Sequence, residues 1–112
     1  MATNNTTLPS PACWATTVGT VSQPVLPANL TRAGLIIINS GLTTIAICPA
    51  LIYQSTNGVY TTTTPGVAAL NSAGSVTMNP GDKFIFDTVA ATCAWNGIAQ
   101  STPGALTMFE HF

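Results

Sequence analysis

Charge is almost absent from this chain of 112 residues: Arg32, Lys83, Asp82, Asp87 and Glu110 are its only fully charged side chains. An ordinary soluble domain has about a quarter of its residues charged. Two basic residues cannot form a phosphate-binding stripe, so neither nucleic acid nor an anionic membrane is an expected partner. The single histidine, His111, and three scattered cysteines do not supply a metal constellation, which needs several ligands at suitable spacing. A copper site of the His and Cys type would need a second histidine. Asp82 and Asp87 straddle one short segment, but the first reads as a turn residue and the second as a strand-end residue. The glycines fall singly at turns, which leaves no phosphate-cradling loop. The expectation is a non-enzyme with no catalytic residues, no metal and no cofactor.

Long apolar runs are missing too. The stretch from Ile45 to Tyr53 contains Pro49 and is too short to span a bilayer. The segment MATNNTTLPSPACW has neither a basic stretch nor an apolar run, so no secretory signal is expected. The Asn-x-Thr sequons at Asn4, Asn5 and Asn29 then carry no meaning, and assembly in a cytoplasm is expected. An odd number of cysteines is no disulfide framework. Cys13, Cys48 and Cys93 are expected to be reduced thiols, the latter two behaving as small buried hydrophobes.

What the chain has instead is β grammar. Nearly half of it is hydrophobic, at 46%, which excludes disorder throughout. Thr, Val and Ile recur, and no helical periodicity is sustained. Strands are expected at 18–25, 35–39, 44–48, 51–54, 59–63, 67–70, 75–78, 83–87, 91–99 and 105–112. Turn signals separate them: Asn39-Ser40-Gly41, Asn57-Gly58, Pro65-Gly66, Ala73-Gly74 and Asn79-Pro80-Gly81-Asp82. Asn57-Gly58 is a two-residue hairpin signal. Pro80 followed by Gly81 suits a type II turn. Short strands at such spacing predict an all-β fold, an antiparallel sandwich of jelly-roll type. Residues 1–17, rich in Asn, Thr, Pro and Ser, are expected to be an extended N-terminal arm, and residues 18–112 the sandwich domain.

Alternation assigns faces. Phe84 and Phe86 share one face; Leu106, Met108 and Glu110 share another. Leu35 and Ile37 oppose Ile36 and Ile38, so that strand is apolar on both sides and is either central in the sandwich or buried at a subunit contact. A surface of Thr, Ser, Asn and Gln suits lying against other protein. Trp14, at the end of the arm, and Leu35 and Ile37 are therefore the candidate assembly-interface residues. Arg32 precedes the most apolar strand and is expected to pair with Glu110 across the sheet, as a structural ion pair.

The stretch from Leu26 to Asn39, LPANLTRAGLIIIN, resembles an L-x-A-N-x-x-R-x-x-L-x-I-x-N pattern of small structural proteins of tailed bacteriophages. AGSVTMNPGD at 73–82 and LTMFE at 106–110 follow in the same order. The resemblance implies a β-sandwich module of a virion, assembled in the host cytoplasm. Its expected role is a capsid decoration or cement protein on the outer shell, whose partners are the major capsid protein, neighbouring virion proteins and itself as a homotrimer. A head-fibre or tail-associated domain, touching host glycans through its aromatic residues, is the alternative. The arm is not part of the pattern, and the Thr-rich middle departs from it.

Overall fold

A computed structural model of the chain describes residues 12–87 and 91–112, the side chains of 52–56 and 60–64 excepted. Ten strands are described: β1 (Ala12–Val18), β2 (Gln23–Leu26), β3 (Gly34–Asn39), β4 (Ile45–Pro49), β5 (Leu51–Thr56), β6 (Val59–Pro65), β7 (Val76–Met78), β8 (Lys83–Asp87), β9 (Trp95–Ala99) and β10 (Gly104–His111). Eight of them form two four-stranded sheets, in the orders β1-β10-β3-β8 and β2-β9-β4-β7; β5 and β6 make a separate hairpin. All pairings are antiparallel.

The topology is that of one long ribbon doubled back on itself. β1 pairs with β10, β2 with β9, β3 with β8 and β4 with β7, and the β5–β6 hairpin lies at the fold of the ribbon. Bonds from β10 to β3 and from β9 to β4 wrap the ribbon into two layers, which is the jelly-roll arrangement. The expected all-β sandwich is thus the observed fold. At the hairpin tip Asn57 and Gly58 both have positive φ, 53° and 80°, as a two-residue primed turn requires.

Period-two alternation builds the core. Leu35 and Ile37 on β3, Leu106 and Met108 on β10, and Trp95 and Ala99 on β9 point inward. With Val18, Val25, Leu26, Ile45, Ile47, Met78 and Ala91 they form one buried cluster, against which Trp14, Val76 and Phe86 pack. The Phe86 and Trp95 rings meet at 4.6 Å between centroids, an aromatic contact that joins the two sheets.

Four expectations change. Residues 12–17 do not belong to an arm, because Ala12–Val18 is a seven-residue edge strand paired in full with β10. No proline interrupts that stretch, and Trp14, Thr16 and Val18 alternate inward. Residues 1–11 of the expected arm lie outside the described residues. The expected strand at 18–25 is split: β1 ends at Val18 and β2 starts at Gln23. The stretch 67–70 is not a strand, and its backbone bonds side chains instead, Ala68 N–H to Ser22 Oγ and Ala69 N–H to Ser75 Oγ. Of the expected strand at 91–99, only Trp95–Ala99 is extended ladder.

Candidate functional site

The densest polar constellation lies inside the sandwich. Arg32 sits in the β2–β3 connection, 2% exposed, and Glu110 on the inward face of β10, 6% exposed. The Arg32 Nε donates to Glu110 Oε1 at 2.7 Å, and Nη2 lies 2.6 Å from the same oxygen. The Trp14 indole N–H donates to Glu110 Oε2 at 2.7 Å. Arg32 spends its remaining donors on backbone: Nη1 on the carbonyls of Ala91 at 2.8 Å and Cys93 at 3.4 Å, Nη2 on that of Pro27 at 3.0 Å. Four separate stretches of chain are tied together at this point: β1, the β2–β3 connection that supplies both Arg32 and Pro27, the approach to β9, and β10.

Each position follows from local structure. Glu110 falls on the buried face because Leu106, Met108 and Glu110 alternate on one strand. Ala12 stands opposite Glu110 in the register, and Trp14 follows two residues along the same strand, on the same face. The ring fills the core edge while its N–H reaches a partner, as a buried indole requires. Burying a carboxylate and a guanidinium costs several kcal/mol each unless they are paired and hydrogen-bonded. Here both carboxylate oxygens are occupied, and no buried side-chain nitrogen or oxygen among the described residues lacks a partner. This arrangement fixes segments in place, with both charges spent on partners within the fold.

A third buried polar residue was not anticipated from sequence. Asn39 is fully buried at the end of β3; its side-chain amide donates to the carbonyls of Thr43 at 2.8 Å and Met78 at 2.9 Å, and its Oδ1 accepts from Gly41 N–H at 3.2 Å. The alternation of Leu35, Ile37 and Asn39 already placed it inward, but the Asn39-Ser40-Gly41 turn signal drew attention to its backbone alone.

The candidate interface residues take different places. Leu35 and Ile37 are buried within their own sandwich, so they present no surface to a partner: β3 lies between β10 and β8, and its inward face is core. Trp14 is half-buried against that core. The faces outward on this sheet are those of Ile36, Ile38, Ile85 and Phe109, in rows set by the pairs Phe109–Ile36 and Ile36–Ile85. Among the described residues no group of three or more His, Cys, Asp or Glu side chains is placed to hold a metal. Cys13 is exposed, Cys93 half-buried and Cys48 buried, all three unbridged. Burial raises the Cys48 thiol above its ordinary value of 9.0, against a smaller opposing contribution from a hydrogen bond with Ser75, so it remains a protonated, weakly nucleophilic thiol at neutral pH.

No family model matches the sequence, and no curated protein matches it. A solved structure described as belonging to the disulfide-linked pili of Bacillus endospore appendages is similar over 100% of this chain and 97% of its own, at 14% identity and a TM-score of 0.25. A TM-score that low carries no inference about fold or role.

Proposed function

We propose that this chain is a non-catalytic structural subunit of a larger protein assembly. One observation carries the reading: the placement of the charges. Arg32 and Glu110 are used up inside the fold, which leaves Asp82, Lys83 and Asp87 as the only charged side chains on the outside. The same surface exposes Leu42 at 97%, Leu30 at 90% and Ile85 at 68%. Singly exposed apolar residues are ordinary. On a surface with three charges they lower the cost of covering it, because desolvating charge is the expensive part of burial. The surface is suited to being covered and poorly suited to keeping free copies apart.

The specific form we propose is the one expected from the sequence resemblance: a decoration protein on a bacteriophage capsid, stabilising the shell by binding the assembled state and not its separated parts. Particles made without the chain should assemble, release their genome at a lower temperature, and regain resistance when the purified protein is added back. Unchanged thermal release together with reduced adsorption to cells would replace this reading with that of a fibre domain.

A further inference from the structure

The two surface charges that belong to a strand stand at opposite ends of the same one. β8 reads Lys83-Phe84-Ile85-Phe86-Asp87, and among the described residues it is the outer strand of its sheet, bonded to β3 alone. Asp82 is engaged in the preceding turn, where its Oδ2 accepts from Asn79 N–H at 2.8 Å. Neither Lys83 nor Asp87 forms a salt bridge among the described residues. Exposed edges are commonly protected by shortness, proline or charge. β2 has four residues and contains Pro24, and β7 has three. β1 carries no charge. β8 is left with Ile85 and, at 36%, Phe84 exposed between two opposite charges.

The direction of its free peptide groups follows from the turn before it. Gly81, at φ 89°, donates to the Asn39 carbonyl at 2.8 Å, and Asn39 N–H donates to the Asp82 carbonyl at 2.9 Å. That is a bulge with glycine in its first position. Counting on from Asn39 opposite Asp82, the alternation of an antiparallel ladder gives hydrogen-bonded pairs at Ile37–Phe84 and Leu35–Phe86. The peptide groups of Lys83, Ile85 and Asp87 therefore point away from β3, to the open edge.

We infer that this edge is a two-fold contact with a second copy of the chain, pairing β8 antiparallel to itself about Ile85. In that register Ile85 exchanges both peptide hydrogen bonds with Ile85 of the second copy. Lys83 stands opposite Asp87 of the second copy, and Asp87 opposite its Lys83. Phe84 stands opposite Phe86. A shift by two residues in either direction breaks both charge pairs, so the charges specify the register as well as the partner. The contact is isologous, and it joins the two copies' four-stranded sheets into one. It rests on the reading of the chain as an assembly subunit and names one of its contacts.

Sedimentation of the full chain from micromolar to near-millimolar concentration tests it. The wild type should form dimers. Lys83→Glu or Asp87→Lys puts like charges together at two symmetric places and should weaken association by about tenfold or more. An equimolar mixture of the two variants should recover it. In the mixed dimer the carboxylate introduced at position 83 of one copy meets the ammonium introduced at position 87 of the other, and the native Asp87 of the first meets the native Lys83 of the second. The exchanged double variant K83D/D87K should also dimerise. Both side chains are exposed, so at a concentration low enough to keep every variant monomeric all should unfold at the wild-type temperature, which separates lost contact from lost fold. A double substitution to serine that increases association would show that the charges guard the edge, and would overturn the inference. So would a wild-type trimer, which needs a heterologous contact. Association that ignores the single reversals overturns this contact and leaves the assembly reading standing. A chain that stays monomeric and binds no particle removes both.

Discussion

Glu110→Gln changes almost no volume and isolates the electrostatics of the buried cluster. The carboxylate accepts from Arg32 on Oε1 and from the Trp14 indole on Oε2; glutamine offers one oxygen. With that oxygen in the Oε1 position, the amide nitrogen faces the Trp14 N–H, donor against donor. With it in the other, Arg32 loses its bonds to this side chain altogether. Either way a guanidinium that is 2% exposed loses its counter-charge. Removing one partner of a buried pair costs about 3–5 kcal/mol. The carbonyls of Pro27, Ala91 and Cys93 still accept from Arg32, which places E110Q near the lower end, at about 3 kcal/mol. Trp14→Phe removes a single charge-assisted bond and should cost about 1.5–3 kcal/mol. The double variant should cost about 1 kcal/mol less than the sum, because the donor conflict created by glutamine is gone. Arg32→Met should be worse than E110Q, since it also strips the donor from those backbone carbonyls. Urea unfolding followed by far-ultraviolet circular dichroism reads these values; a loss of about 3 kcal/mol moves the midpoint by about 1.5 M. An E110Q midpoint within a few tenths of a molar unit of wild type, or strict additivity with W14F, would refute the reasoning.

Three further outcomes follow from the same structure. Cys48 is protonated in both folded and unfolded chains below its ordinary value of 9.0; above that value the unfolded thiol ionises first, so stability should fall as pH rises into the alkaline range, and Cys48→Ala should flatten that limb of a urea-midpoint profile. Alkylation of the native protein should modify exposed Cys13 first and buried Cys48 only on unfolding, as read by mass spectrometry. Gly81→Ala places a side chain at φ 89° and should cost about 1–2 kcal/mol through the turn that leads into β8, read as a lowered urea midpoint.

The parts of the fold legible in sequence are those set by local rules. Turn chemistry marked Asn57-Gly58 and Pro80-Gly81, and alternation put Phe84 with Phe86 and Leu106 with Met108 and Glu110. Alternation also left β3 with two readings, central strand or subunit contact, since a strand apolar on both faces satisfies either. Only the pairing with β10 on one side and β8 on the other shows Leu35 and Ile37 to be core. The same limit hid β1. ACWATTV is short and follows a proline-rich stretch, and what makes it a strand is the open edge of β10, at the far end of the sequence. Arg32 and Glu110 were legible as a pair because so few charges leave few partners. The role of Trp14 was not, because an aromatic residue beside a polar segment looks like an anchor until its N–H is seen to meet Glu110.

The buried pair and the edge pair should respond differently to salt, and that difference separates the two arguments experimentally. Screening acts through solvent, with a Debye length of about 30 Å at 0.01 M and about 3 Å at 1 M. Arg32 and Glu110 have almost no contact with solvent, so the stability difference between wild type and E110Q should stay constant over that range. Lys83 and Asp87 are exposed, so the two-fold contact through β8 should loosen as salt is raised, and the mixture of K83E and D87K should loosen with it. The single variants, which meet like charge with like, should gain association over the same range. A salt-dependent E110Q difference would mean that water reaches the cluster, against the burial described. Wild-type association that strengthens with salt would point to apolar side chains such as Leu30 and Leu42 as the contact, in place of the edge.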